Sequence, residues 1–319
     1  MKFEYYIKRA KEKITNKIIR TIFHYQTKEV FDIPKIGRFS SESPVALLSM
    51  LQESDVQMYL LAVKSLLRYL TINKVVIVCD PSLSNDSREK IKAHIAHVDF
   101  LEATNFMHES IPIGGTWERL HAISHLTDKY YVIQMDADIL FMHSPSEVIQ
   151  AIKHNSPFIL GTNRLYQQLT LQQMTDIVLQ WIKQYKMDHK QPHIQMIAEI
   201  NMQRLAEPLG YASYTRGCSG FAGFSKGSIT PEGLTALSQV FYADLGEKWK
   251  IWGTEQFMSN LLLSNLKNIE VLPVDKYNSS EQYEEGFVMA HFIGTWRFYN
   301  LLYTKIAKMI ICEIDKEKT

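Results

Sequence analysis

Hydrophobic positions along the chain follow two rhythms, and the switches between them mark the elements. Over residues 1–24, Ile7, Ala10, Ile14, Ile18 and Ile22 recur at helical spacing, while most of Lys8, Arg9, Lys13, Lys17 and Arg20 fall elsewhere on the wheel. That pattern predicts an amphipathic helix. Residues 25–43 lose the period, with Pro34, Gly37 and the run Ser40-Ser41-Glu42-Ser43-Pro44 as breakers. Short apolar runs then predict strands over Pro44–Leu51, Lys74–Cys79, Val98–Glu102, Tyr130–Met135 and Phe158–Gly161. Between them, apolar faces predict helices over Val56–Leu70, Ser87–His97, Thr116–Leu126 and Ser144–Lys153. Such alternation implies an α/β chain with a mostly parallel sheet and helices on both faces. Residues 165–207 break the rhythm: Met174, Ile177, Val178, Trp181, Ile182 and Tyr185 mark one helix, and Ile194, Ile197, Met202 and Leu205 a second, a helical insertion. Residues 211–295 return to mixed character, and Phe298, Leu301, Leu302, Ile306, Met309 and Ile310 stripe a C-terminal helix. The expected organisation is a terminal helix and linker over 1–43, a first half over 44–162, a second half with the insertion over 163–297, and a final helix over 298–319.

Composition narrows the function classes. Hydrophobic residues make up 46% of the 319 and charged residues 22%, an ordinary globular balance. Thirty-five basic against 34 acidic residues leave a net charge of +1, which removes the global electrostatic case for nucleic acid as a partner. Cys79, Cys218 and Cys312 form no CxxC pair, so neither a zinc knuckle nor a disulfide framework is implied, and a reducing compartment fits. The N-terminus is basic without the roughly 7–15-residue apolar run of a signal peptide. No stretch of about 18 apolar residues suggests a membrane span. A cytoplasmic protein is the expectation. The basic N-terminal helix could still lie on an anionic bilayer surface, a peripheral membrane contact, although packing on the domain is the commoner fate of such a helix.

Candidate chemistry concentrates in two segments. In Tyr130-Tyr131-Val132-Ile133-Gln134-Met135-Asp136-Ala137-Asp138, two carboxylates emerge where a buried strand ends, the edge at which parallel α/β sheets bind ligands. Residues i and i+2 of an extended chain point the same way, so Asp136 and Asp138 can face one divalent cation, and a solvent-facing strand end should let either be removed without loss of fold. The plainer reading is a solvated turn. In Met289-Ala290-His291-Phe292-Ile293-Gly294-Thr295-Trp296-Arg297, His291 offers an imidazole ligand, Gly294 lets backbone approach a phosphate, and Arg297 can neutralise it. Alone, His291 reads equally as a hydrogen-bonded core histidine. His121, His125, His143, His154, His189 and His193 show no HExxH context and are expected to be structural or surface residues. Trp117 and Trp296 flank the two segments and are candidates to stack on a sugar or base.

Taken together, Arg119, Lys129, Asp136-Ala137-Asp138 and His291-x-x-Gly294-x-x-Arg297 resemble the retaining GT-A glycosyltransferases of the glycogenin and bacterial lipopolysaccharide glucosyl- and galactosyltransferase type, over about residues 44–300. Arg297 stands where that family has Lys, and Phe298-Tyr299 where it has Pro-Trp. The resemblance implies a GT-A type fold with a Rossmann-like sheet. It also implies transfer, with retention, of a hexose from a nucleotide-diphosphate sugar, a UDP-sugar first, to a hydroxyl of a glycan or lipid-linked saccharide in bacterial surface polysaccharide synthesis. By the same resemblance Asp136, Asp138 and His291 hold Mn²⁺ (or Mg²⁺), and Arg119 and Arg297 face the donor. Ser219 and Gly220, within Arg216–Phe224, then contact the sugar, and Glu255 and Gln256, within Trp252–Phe257, sit beside the transferred group. The bland counterparts are a tightly packed glycine-rich strand and an acid favoured at a helix N-terminus. Three alternatives stay open. An inverting transferase would use Asp244 or Glu255 as base, and an inactive binding protein of the same shape would dock other enzymes. A nucleotidyltransferase is disfavoured because residues 45–55 hold no glycine-rich loop.

Overall fold

The computed structural model describes residues 2–162, 167–187 and 190–316. The first residues of the predicted insertion, 165 and 166, and His189 lie outside them. The main strands in chain order are β1 (Val45–Leu51), β2 (Lys74–Cys79), β3 (Val98–Glu102), β4 (Tyr131–Met135), β5 (Ile139–Phe141), β6 (Phe158–Leu160), β7 (Cys218–Phe224), β8 (Glu270–Leu272), β9 (Tyr277–Ser279) and β10 (Met289–His291). The helices are α1 (Lys2–Gln26), α2 (Val56–Leu67), α3 (Asn85–His94), α4 (Trp117–Leu126), α5 (Ser146–Lys153), α6 (Leu171–Met187), α7 (Ile194–Ala206), α8 (Pro231–Leu245), α9 (Thr254–Ser264) and α10 (Leu302–Lys316). The predicted α/β alternation and both helices of the insertion are present. Element ends differ from expectation by a few residues, where helices yield to turns.

Seven strands form the central sheet in the order β8-β6-β7-β4-β1-β2-β3. Every neighbouring pair is parallel except those that β7 makes with β4 and β6. Because side chains alternate along a strand, each strand feeds two cores. Val45 and Leu47 of β1, Val75 and Ile77 of β2, and Tyr131 and Ile133 of β4 join one core, which α2 and α10 cover. Ala46, Leu48, Val76, Val78 and Val132 join the other, covered by α4 and α6 to α9. Burial on both faces explains why these strands read as continuous apolar runs.

A three-stranded sheet, β9-β10-β5, sits beside the end of β4. In it β10 runs antiparallel to β5 with His291 opposite Ile139. That register carries the distant His291 to the Asp138 that precedes β5, and the Phe292 amide donates to the Asp138 carbonyl at 2.9 Å.

The two terminal helices pack together beneath this sheet. Phe23 of α1 stacks on Tyr303 of α10 at 4.3 Å, and Tyr303 stacks on Phe292 at 4.2 Å. Ile7 and Ala10 of the predicted stripe lie outside the described side chains, and where α1 is described its packing face is not that of Ile14 and Ile18. Ile14 is 61% and Ile18 55% exposed, while Ile19 and Phe23 meet the core. One residue is about 100° of helix, so a stripe offset by one position faces solvent instead. In the C-terminal stripe the same correction applies to Leu301, which lies just before α10, and to Met309 on it, both exposed while Ile306 and Ile310 are buried. Among the described residues no helix is long and apolar enough to cross a membrane.

Candidate functional site

Where β4 ends, at the carboxyl edge of the parallel strands, a cleft of about 270 Å³ opens. Asp136, the residue after β4, stays in the ladder through its amide, which donates to the Gly220 carbonyl at 2.8 Å. Its half-buried carboxylate pairs with the Arg119 guanidinium. Asp138 is only 4% exposed. Its Oδ1 lies 3.1 Å from His291 Nε2, and its Oδ2 is bound by Arg297. His291 Nε2 is also 3.7 Å from Asp136 Oδ2. Ligand atoms of Asp136, Asp138 and His291 therefore all fall within 4.8 Å of one another. Two carboxylate oxygens and an imidazole nitrogen so close together fit a divalent cation.

Burial would raise the Asp138 carboxyl, but the charges of His291 and Arg297 hold it below the usual carboxylate range. Burial pulls the other way on His291, whose pairing with Asp138 nevertheless lifts it well above an ordinary imidazole. A cation entering here would compete with Arg119, Arg297 and this imidazolium proton for the same oxygens. Gly220 of β7 lies flat under the His291 ring: an added Cβ would come within 2.1 Å of Cε1. The glycine-rich segment is both a tightly packed strand and the floor of the cleft.

The opposite wall comes from the first turns of α4 and α9. Arg119 Nη2 reaches Glu255 Oε1 at 3.3 Å and lies 3.5 Å from the Ser219 hydroxyl. Glu255 Oε2 accepts from the hydroxyls of Ser219 at 3.1 Å and Thr116 at 3.0 Å. Burial, the larger influence, raises the Glu255 carboxyl above its usual range against the pull of Arg119. So much side-chain bonding shows that Glu255 does more than favour a helix terminus. Gln256 accepts from the Ser219 amide at 3.3 Å. Thr116 is held at φ 71, a left-handed conformation unusual for a residue with a Cβ.

The residues that the resemblance and the two motif segments nominate all line this cleft: Asp136, Asp138, His291, Arg119, Ser219, Gly220, Gly294, Arg297, Glu255 and Gln256. Other nominations are corrected. Trp117 is 1% exposed, and its indole N–H donates to Thr254 at 3.0 Å, so it ties α4 to α9 and has no face for a ligand. Trp296 lines a neighbouring groove with Tyr299 and Leu302. Asp244 lies on α8, 2.7 Å from Arg204, and is not part of the cleft. His193, expected to be structural or on the surface, lines the cleft mouth with Trp252, which is 71% exposed. Gly253 between them has φ 109, and a Cβ there would meet His193 at 2.4 Å. Sequence reasoning also missed Cys218, whose Sγ is 3.5 Å from His291 Nδ1, and Thr116. Only the Gly114-Gly115 pair before Thr116 hinted at unusual backbone there.

No protein-family model matches the sequence, and no curated protein matches it. Among solved structures the chain is similar to mouse xyloside xylosyltransferase 1 at 13% identity and a TM-score of 0.45, over 78% of this chain and 98% of that one. It is similar to the galactosyltransferase LgtC in complex with donor and acceptor sugar analogues at 10% identity and a TM-score of 0.45, over 83% and 95%. It is also similar to the mannosyltransferase Ktr4p from S. cerevisiae in complex with GDP at 11% identity and a TM-score of 0.38, over 77% and 76%. At these TM-scores the likenesses are distant and assign no activity by themselves.

Proposed function

We propose that this chain is a metal-dependent glycosyltransferase that moves a hexose from a nucleotide-diphosphate sugar, a UDP-sugar first, to a hydroxyl of a glycan or lipid-linked saccharide, with retention, in the building of bacterial surface polysaccharide or lipopolysaccharide. One observation carries the reading: Asp136, Asp138 and His291 converge within 4.8 Å in a cleft that also holds Arg119, Arg297, Glu255 and Gln256. Two acids, an imidazole and two guanidiniums side by side suit a ligand that is both anionic and metal-bridged, as a nucleoside diphosphate is.

In the reaction the bond between the anomeric carbon and the phosphate oxygen breaks, and a bond to the acceptor oxygen forms. The diphosphate leaves with the electron pair, and the acceptor proton goes to it. A divalent cation held by Asp136, Asp138 and His291 would neutralise charge on the leaving group, Mn²⁺ being favoured over Mg²⁺ by the imidazole. Arg119 and Arg297 bind the diphosphate and stabilise the same developing charge. Glu255 and Gln256, fixed at the start of α9, orient the sugar. The exposed Ile14 and Ile18, between exposed Lys11, Lys13, Lys17 and Arg20, support peripheral contact with the inner face of a membrane where a lipid-linked acceptor would lie.

Thermal-shift screening of nucleotide sugars with and without Mn²⁺ tests the reading. The true donor, at about a hundred times its Kd, should stabilise the fold by about 2.7 kcal/mol, and only when the cation is present. Failure of every nucleotide-diphosphate sugar to shift the transition would overturn it.

A further inference from the structure

Behind Gln256, away from the metal-ligand cluster, a buried polar chain runs into the helical insertion. Glu199 of α7 is fully buried. All of its donors converge on one oxygen: Arg216 Nε at 2.8 Å, the Tyr214 hydroxyl at 3.1 Å and the Gln195 amide at 3.1 Å meet Oε1. Its Oε2 is buried without a hydrogen-bond partner. The Gln256 amide nitrogen in turn donates to Gln195 Oε1 at 3.0 Å, leaving Gln256 Oε1 to accept from the Ser219 amide at 3.3 Å.

A primary amide can flip, exchanging donor for acceptor, unless a neighbour of fixed polarity forbids it. Glu199 Oε1 is an acceptor whether the carboxyl is ionised or protonated, since any proton would sit on the other oxygen. It therefore forces Gln195 to present its nitrogen inward and its oxygen toward Gln256. Gln195, together with the Ser219 backbone N–H as a fixed donor at the other end, then requires Gln256 to turn its nitrogen inward and its oxygen toward Ser219. The chain is held from both ends, by an acceptor at Glu199 and a donor at Ser219, and no polarity within it is chosen freely.

We infer that Gln195 and Glu199 are positioning residues that lock the Gln256 amide with its oxygen toward the cleft, so that the site recognises a hydroxyl donor of the sugar there. This rests on the transferase reading above and adds the part of the chain that fixes the polarity of its sugar subsite. The insertion helix α7 thus serves the cleft without touching the ligand.

The test uses Gln195→Met, which cuts the chain while leaving the Glu199–Arg216 pair in place, in native and Gln256→Met backgrounds. With Gln256 present, kcat for transfer should fall about tenfold, the scale of one misoriented hydrogen bond, while the donor KM stays within about twofold. In the Gln256→Met background the same substitution should change kcat by less than about twofold, because nothing remains to orient. Glu199→Gln, which keeps an acceptor oxygen toward Gln195, should retain activity, whereas Glu199→Met should behave like Gln195→Met. An equal fall in kcat in both backgrounds would overturn the proposal, because a merely structural role does not depend on Gln256. A second readout needs no turnover. Hydrogen exchange of the Gln256 side-chain amide, followed by ¹⁵N NMR of the full chain, should be slowed in the native protein and quicken about tenfold in Gln195→Met. If no nucleotide sugar is turned over, the transferase reading fails, and unchanged exchange would separately refute the lock.

Discussion

Asp136 and Asp138 are two residues apart and meet different surroundings. Asp136 is half-buried and pairs with Arg119, whereas Asp138 is enclosed by His291 and Arg297. The expectation that either could be removed without loss of fold rests on a solvent-facing strand end, and Asp138, 4% exposed, does not meet that premise. Asp136→Asn should lower transfer on the order of 100-fold, as when one preorganised charge stabiliser is lost, with the thermal midpoint unchanged. Asp138→Ala should cost about 3–5 kcal/mol as well as activity, because it strands the buried His291 and the half-buried Arg297 without their carboxylate. Denaturant melts of the two variants separate these outcomes, and equal stability would mean that Asp138 is more accessible than its burial indicates. Gly220→Ala pushes a methyl into the His291 ring, and should destabilise by about 1–3 kcal/mol while weakening Mn²⁺ binding. Calorimetric Mn²⁺ affinity equal to wild type in that variant would dissociate His291 from the metal site. At this scale much of the site was legible: an acid pair after an apolar strand and a histidine followed by glycine are local patterns. His193, Cys218 and Gln195 were not, since nothing near them in sequence signals what they face. The burial of Trp117 was hidden too, because a helix's first residue shows no periodicity of its own.

Elements bring these residues together. Strand β10 crosses back antiparallel to β5, and α4 and α9 present their first turns to each other through the Trp117–Thr254 hydrogen bond. The alternating α/β pattern was readable because parallel strands are apolar on both faces. The reversed direction of β7 was not, since a short strand carries the same side-chain alternation whichever way it runs. On α1 the period was right and the face wrong: isoleucines dominate the stripe, but the aromatic Phe23 finds the larger partner surface. The exposed stripe gives a prediction. Ile14→Ser with Ile18→Ser should abolish cosedimentation with anionic liposomes at low salt while leaving donor binding intact, and undiminished sedimentation would retire the membrane contact. These substitutions spare Phe23, which deletion of the helix would remove from the core. A second prediction concerns the link between α5 and β9. Glu147 accepts from Lys276 at 2.6 Å and from Tyr277 at 2.7 Å. Partial burial opposes them, yet they hold its carboxyl down at about 2. A depressed carboxyl stabilises above its unfolded value and loses that contribution as pH falls through the folded one. The thermal midpoint of Glu147→Gln should therefore lie below wild type at neutral pH, with the gap closing between about pH 4.5 and 2. A gap that persists at pH 2 would contradict this.

Across the whole molecule, both halves of the chain contribute to each wall of one cleft. Arg119, Asp136 and Asp138 come from the strands and helices that alternate regularly, while Ser219, Glu255, Gln256 and His291 come from the segments after the insertion. Composition and charge remove the global electrostatic case for a nucleic-acid partner but are silent on how these segments meet, which register and strand order determine. The central claim is that this cleft binds a nucleotide-diphosphate sugar through a divalent cation. The direct test is isothermal titration of UDP-sugars, and then other nucleotide sugars, into the full chain with Mn²⁺ and with EDTA, for wild type and Asp136→Asn. Wild type with Mn²⁺ should bind one donor, the complex should disappear in EDTA, and Asp136→Asn should weaken it on the order of 10–100-fold at unchanged thermal stability. Donor binding of equal strength with EDTA and with Mn²⁺, and in Asp136→Asn, would contradict the claim.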